Sequence, residues 1–314
     1  MRHRSFYLDL LAVAASVLAI SGSLLMPGLV ESLKYYLLAL VMITVGIPHG
    51  AVDHIISSKL YNLSKTLADQ IKFYLPYLAL MLFMGLIWYF NAQIGFLIFI
   101  ACTVYHFGQA DLVYLTMPEW FKKVLYVSRG VMIMGLLIFI HPSISFPVMD
   151  AIAGIDLLDS AFWTNYSLWI GLALAAQHIL LVSLAVISYR RVNEARPSYV
   201  IGDTLLVTAL YLLAEPITAF AVYFAFWHSM GHIQELKAYF STQDRQWSVT
   251  EFYKHSWLFS LISFLGLALL YWLNQAFGSD QQMLAILLIL ISVLTLPHML
   301  VVEKMFSDHK SALS

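Results

Sequence analysis

The chain has 314 residues, of which 61% are hydrophobic and 11% charged, with a mean hydropathy of +0.79 and a formal net charge of −1. Soluble domains carry roughly 25% charged residues, so this composition excludes one and reads as an integral membrane protein. The balanced charge offers no basic surface for phosphates and argues against a nucleic-acid partner; the single cysteine, Cys102, leaves no disulfide framework and no thiolate metal cage and is expected to pack.

The first apolar stretch, from near Tyr7 past Ser21, is longer than a signal-peptide core and is followed by further spans, so it reads as a retained helix. Windows able to cross a hydrocarbon core of about 30 Å, roughly 20 residues each, fall at 7–30, 33–57, 73–90, 92–110, 123–140, 162–189, 199–214, 216–240, 254–277 and 281–303. The predicted fold is all-α: a polytopic helical bundle of about ten transmembrane helices in one domain covering 1–314. The window at 199–214 is short, carries Asp203 and meets its successor at Ala214-Glu215-Pro216, so nine spans plus a re-entrant segment is the alternative count. No internal repeat, low-complexity tract or soluble linker interrupts the pattern.

The loops test this count, because cytoplasmic loops are enriched in Lys and Arg. Placing both termini in the cytoplasm puts Arg2, Arg4, Lys59, Lys65, Lys72, Lys122, Lys123, Arg190, Arg191, Arg196, Lys237, Arg245, Lys254, Lys304 and Lys310 inside and only Lys34 outside. Arg129 falls just within the fifth span, where its side chain is expected to snorkel to the interface. The outer side is acidic or neutral, with Glu31, Asp150, Asp156, Asp159, Glu215 and Asp280. Its longest segment, 141–161, is expected to dip partly into the interface. A multi-pass protein of the inner (plasma) membrane follows.

Histidines inside apolar spans are the chemical signal, since an intramembrane imidazole needs a metal, a proton pathway or another side chain as partner. His49 falls on the second span, His106 on the fourth, His228 and His232 on the eighth, and His298 on the tenth. All four spans run inward, and each histidine sits within about one to three turns of a charged residue ending its span, namely Lys59, Asp111, Lys237 or Lys304. A shared depth argues for one cluster. His228 and His232, four apart, can reach one ion from a helix. In Pro48-His49-Gly50-Ala51-Val52-Asp53-His54 the proline and small residues predict a kink, and Tyr105-His106-Phe107-Gly108-Gln109-Ala110-Asp111 repeats the theme of histidine, glycine and a following carboxylate. Asp53, Asp111, Gln234 and Glu235 are candidates to accept the second N–H of a ligating imidazole, or else are interfacial polar residues. His298, in Leu296-Pro297-His298, is a candidate fifth ligand, supporting residue or channel wall. His54 is treated as a neighbour of His49, and His178 as a hydrogen-bonded core histidine. His3, His141, His255 and His309 are expected to be solvated.

Neutral nitrogen donors without thiolate suit iron, zinc or copper, and the spacing does not choose among them. Four imidazoles leave octahedral positions open, which favours a redox metal that binds O2 over a closed structural site. Twenty Phe, eighteen Tyr, eight Trp and thirteen Met could line an apolar tunnel for a water-insoluble substrate, although helix contacts and interfaces are their ordinary use.

Through Pro48-His49-Gly50-Ala51-Val52-Asp53, Tyr105-His106-Phe107-Gly108, Trp227-His228-Ser229-Met230-Gly231-His232 and Leu296-Pro297-His298, the chain resembles the Brp/Blh family of β-carotene 15,15'-dioxygenases, from the second span to the tenth. The resemblance implies cleavage of the central double bond of β-carotene by O2 to two retinal molecules. It implies Fe(II) as cofactor and His49, His106, His228 and His232 as metal ligands; Asp53, Asp111, Glu235 and His298 remain candidate supporting residues from the residue reading alone. It also implies a functional link to a retinal-binding rhodopsin; with no lysine deep inside a span, this chain would produce retinal rather than hold it. Against this stand a di-metal lipid hydroxylase or desaturase, which needs about eight histidines in boxes, a histidine-relay transporter or channel, which needs inverted repeats and a polar path, and a haem-binding electron carrier.

Overall fold

The computed structural model describes residues 5–189, 197–241, 246–277 and 280–311. His3 and the basic residues Arg2, Arg4, Arg190, Arg191, Arg196 and Arg245 lie outside the described residues, as do the side chains of Asp280, His309 and Lys310. The described chain runs through α1 (Phe6–Leu25), α2 (Pro27–Val41), a π-helical turn at Met42–Gly46, α3 (Ile47–Gly50), α4 (Asp53–Leu60), α5 (Leu67–Phe90), α6 (Ala92–Leu112) and α7 (Glu119–Phe139). It continues with α8 (Pro142–Ala153), α9 (Ala161–Ser188), α10 (Pro197–Leu213), α11 (Pro216–Tyr223), a second π-helical turn at Phe224–Ser229, α12 (Met230–Phe240), α13 (Val249–Phe277) and α14 (Asp280–Ser311). No strand occurs among the described residues.

Each of the ten predicted windows is helical. Among the described residues, seven helical stretches are long and apolar enough to cross a membrane, or eight if α7 and α8 form one broken span, while α10, with 17 residues, is shorter. The eighth window is a continuous helical run, α11 to α12, whose hydrogen-bond register changes in its middle. The predicted outer segment holds α8. Helix starts follow capping chemistry: Ser5 accepts from the Leu8 N–H, Thr66 from that of Asp69, and Glu215 from that of Thr218 with Pro216 at the first position. Large apolar side chains such as Leu18, Leu25, Leu82, Phe83 and Trp169 point outward, as hydrocarbon-facing helices require.

The chain sorts into two compact units assembled from interleaved segments. The first comprises 1–46, 104–145 and 160–238, the second 47–103, 146–159 and 239–314. In the first unit, Met132, Ile133, Leu136, Val207, Leu210, Tyr211 and Tyr223 form the centre of a large apolar core. Its tightest feature is the crossing of α6 and α7. A Cβ on Gly108 would lie 1.8 Å from the Tyr126 carbonyl oxygen, and one on Gly130 would lie 1.8 Å from that of Val104. Without a hydrophobic force between helices in lipid, such small-residue contact lets backbones approach closely. In the second unit, Met84, Trp88, Phe96, Ile152 and Ala153 form the core. Trp88 Nε1 donates to Ser292 Oγ at 2.9 Å, and Gly95 leaves room for the Trp88 ring. Lys59 donates to the Tyr239 carbonyl and lies over the Tyr239 ring at 4.1 Å, while Tyr239 Oη donates to Asp308.

Because the atoms facing Gly108 and Gly130 are backbone, no rotamer change can relieve an added methyl. Gly108→Ala and Gly130→Ala are each expected to cost about 3 kcal/mol or more. Gly85→Ala, where a Cβ meets nothing within 4 Å, should be neutral. Thermal midpoints and monodisperse yield in detergent check this.

Candidate metal centre

In the first unit, His106 projects from α6 and His228 from the second π-helical turn. Both are buried, at 2% and 3% exposure, and their rings meet edge to face with centroids 5.0 Å apart. Phe107 packs against the His228 ring at 4.5 Å, and Phe224 stacks on it at 5.0 Å with planes 23° apart. His232, on α12 one turn further along, is buried at 3%. The local backbone is unusual. A π-helical turn adds a residue to one turn and occurs frequently at functional sites; this one carries His228. The other, Met42–Gly46, reaches it through Gly46, whose absent Cβ would stand 3.0 Å from Phe224 Cε1.

Around these rings lies a buried ionic cluster that the sequence reading misplaced. Arg129 does not snorkel: it is fully buried, with Nε bonded to Asp111 Oδ2 at 2.8 Å and Nη2 to Asp203 Oδ2 at 3.2 Å. Nη1 reaches Thr204 Oγ1 at 3.4 Å. Its position near the inner end of a span suggested an exit to water, but two acidic residues on neighbouring helices supply closer partners. The cluster extends toward His228, because Trp227 Nε1 donates to Asp203 Oδ1 at 2.8 Å and Tyr223 Oη to Asp111 Oδ2 at 3.2 Å. Asp111, a predicted imidazole support, therefore anchors Arg129 and Tyr223. Gln234 pairs with Ser5 through two hydrogen bonds, and Glu235 lies half-buried on α12. His178, on α9 and wholly buried, shares a 2.9 Å hydrogen bond between Nδ1 and Ser128 Oγ.

The second unit contains His49, on α3, exposed by 6%. The predicted kink is a full interruption: a π-helical turn precedes α3, and residues 51–52 form a turn before α4 begins at Asp53. The His49 ring meets His298 of α14 edge to face at 5.3 Å. His298 Nδ1 lies 2.9 and 3.0 Å from the two oxygens of Asp53, whose Oδ2 also accepts from Tyr77 Oη at 2.8 Å. The imidazole that Asp53 orients is that of His298. His54, after the break, packs its ring on Phe259 at 4.6 Å. Tyr77 and Phe224 carry no motif signal of their own; only their contacts mark them.

Among the described residues no single cluster brings three or more His, Cys, Asp or Glu side chains into an arrangement able to hold a metal ion. In donor chemistry the residues fit iron. The His106–His228 and His49–His298 rings, with centroids 5.0 and 5.3 Å apart, are pairs of buried nitrogen donors that could hold such an ion.

A helical membrane protein with paired, buried imidazoles in each of its two units is the class these features define. Residues 40–306 match the β-carotene 15,15'-dioxygenase family, and the chain belongs to this family of carotenoid-cleaving oxygenases. It is similar to a β-carotene 15,15'-dioxygenase from an uncultured marine bacterium, 66A03, with 26% identity over 87% of this chain and 94% of that protein. It is also similar to a probable β-carotene 15,15'-dioxygenase, Blh, from Halobacterium salinarum, with 28% identity over 70% of this chain and 65% of that protein. No solved structure matches.

Removing the guanidinium while keeping the carboxylates should be severe. Arg129→Met leaves two buried carboxylates without their cation, a change that typically costs about 3–5 kcal/mol. Arg129→Met with Asp111→Asn and Asp203→Asn together should recover part of that loss. Unfolding midpoints of the single and triple variants in detergent decide it; equal midpoints for wild type and Arg129→Met would show that the cluster adds no stability.

Proposed function

We propose that the protein cleaves the central 15,15' double bond of β-carotene with O2, giving two molecules of all-trans-retinal, at a non-haem Fe(II) held by His49, His106, His228 and His232. Family membership supports the reaction, and two relatives carry the names of that activity. The observation that supports the site is the edge-to-face pair His106–His228, two deeply buried imidazoles whose ring centroids are 5.0 Å apart.

Ferrous iron bound there would supply the one-electron chemistry that lets ground-state O2 react with a hydrocarbon. The chain's own residues contribute neutral nitrogen donors, a dry environment and position. Phe107 and Phe224 both pack against the His228 ring, which is 3% exposed. A polyene offers no hydrogen-bonding handle, so placement of its midpoint rests on the shape and length of an apolar passage, and proximity carries most of the rate. The substrate would enter from the bilayer of the inner (plasma) membrane that the multi-pass chain spans, and the retinal produced would serve a retinal-binding rhodopsin.

Purified, iron-loaded protein given β-carotene and O2 should yield retinal as sole cleavage product and contain one iron per chain. Two irons per chain would instead favour the lipid hydroxylase, and a Soret band a haem carrier. His106→Ala should fold, lose bound iron and lower retinal formation by more than about 100-fold. Full activity in that variant would remove His106 from the site.

A further inference from the structure

His298 falls outside the four histidines of the proposed site, yet its surroundings are those of a metal ligand. A ligating imidazole ordinarily donates its second ring N–H to a carboxylate, which fixes the tautomer, aims the other nitrogen and raises its basicity. His298 has this arrangement: Nδ1 is 2.9 and 3.0 Å from the Asp53 oxygens, and the proton belongs on Nδ1 because an ionised carboxylate only accepts. The lone pair is thereby assigned to Nε2. Asp53 is itself held by Tyr77 Oη at 2.8 Å, so α4, α5 and α14 together set the direction of one ring.

That ring stands beside His49. Their centroids are 5.3 Å apart with planes at 78°, which makes them a pair of buried nitrogen donors that could hold one ion. Gly50 keeps the approach open: a Cβ there would lie 3.8 Å from His298 Nδ1, so no larger side chain intervenes between α3 and the ring. His298 and Asp53 are buried at 7% and 4% exposure, and a carboxylate–imidazole pair buried in a membrane bundle is costly unless it has a task.

We propose that His298 is an additional nitrogen donor to the metal that His49 binds, through Nε2, and that Asp53 is its positioning residue. The inference rests on the metal reading given under Proposed function and extends its ligand set by one. It assigns Asp53 to His298 rather than to a residue of the four.

The test uses full-length protein in detergent loaded anaerobically with Co(II), whose visible bands report ligand number and type, and with Fe(II) for X-ray absorption. Wild type should show one more imidazole in the absorption fine structure than His298→Ala, and the Co(II) bands of that variant should shift and regain the wild-type form when free imidazole is added. Asp53→Asn keeps both rings and removes the carboxylate charge. It should weaken Co(II) binding by about 10–100-fold with a shifted spectrum, and it serves as the informative variant if His298→Ala fails to fold. Wild-type Co(II) spectra and affinity in a folded His298→Ala, or in Asp53→Asn where that variant alone folds, would overturn the inference and leave His298 an edge-to-face packing partner of His49. His106→Ala separates the two claims: if wild type binds no metal, or His106→Ala binds it unchanged, the four-histidine reading fails, whatever His298 does.

Discussion

A guanidinium with no exposure to solvent must find its counter-charge within the protein, and much of the first unit is arranged around that demand. Arg129 of α7 draws Asp111 from α6 and Asp203 from α10, and each carboxylate then takes one further donor from the helical run that carries His228: Tyr223 on Asp111 and Trp227 on Asp203. The ion cluster thus bonds four helices, α6, α7, α10 and α11, and the second π-helical turn. Replacing such a cluster with apolar residues is often neutral or stabilising, whereas breaking it is not. Its value here is therefore positional. His228 directly follows Trp227, and His106 lies five residues before Asp111 on the same helix, so the contacts that neutralise Arg129 also set both ends of the imidazole pair.

Close packing makes that arrangement stiff. The backbones of α6 and α7 touch at Gly108–Tyr126 and Gly130–Val104, the second glycine being next to Arg129 and the first two residues past His106. Four residues separate the partners on each helix, so two contacts one turn apart fix both the crossing point and the rotation about it. The His106 side chain inherits this rotation. A ring 5.0 Å from its neighbour tolerates little helix rotation before the edge-to-face contact with His228 is lost.

Hydropathy made the helices legible, because a run of about 20 apolar residues has few alternatives to a span, and all ten windows proved helical. Seven or eight meet the length and apolarity of a span, since α10 is short and the run from α11 to α12 is mixed. The motif histidines were legible as buried groups: His49, His106, His228 and His232 are each no more than 6% exposed. What escaped was pairing. Arg129 looked like an interfacial cation because its distance from a helix end is visible in sequence, while the two carboxylates that hold it come from 18 residues earlier and 74 residues later. The π-helical turns were equally hidden, since one extra residue per turn barely changes a hydropathy window; Pro48 and the small residues around His49 signalled only that the helix would break. Asp53 reads from sequence as either a carboxylate support or an interfacial polar residue, and its partner, 245 residues away, could come only from the fold.

The imidazole rings are held by two different kinds of force, and the difference has chemical meaning. In the first unit, Phe107 and Phe224 pack against His228, and packing of that kind fixes the plane of a ring while leaving the choice of protonated nitrogen to whatever the ring edge meets. In the second unit a carboxylate takes the ring edge, which fixes plane and tautomer together and fills the remaining capacity of the carboxylate with a tyrosine hydroxyl. The two units thus hold a buried imidazole by different means: His228 is fixed by its aromatic neighbours, whereas His298 is fixed by the Asp53 carboxylate, which sets the direction of its ring edge as well as its plane.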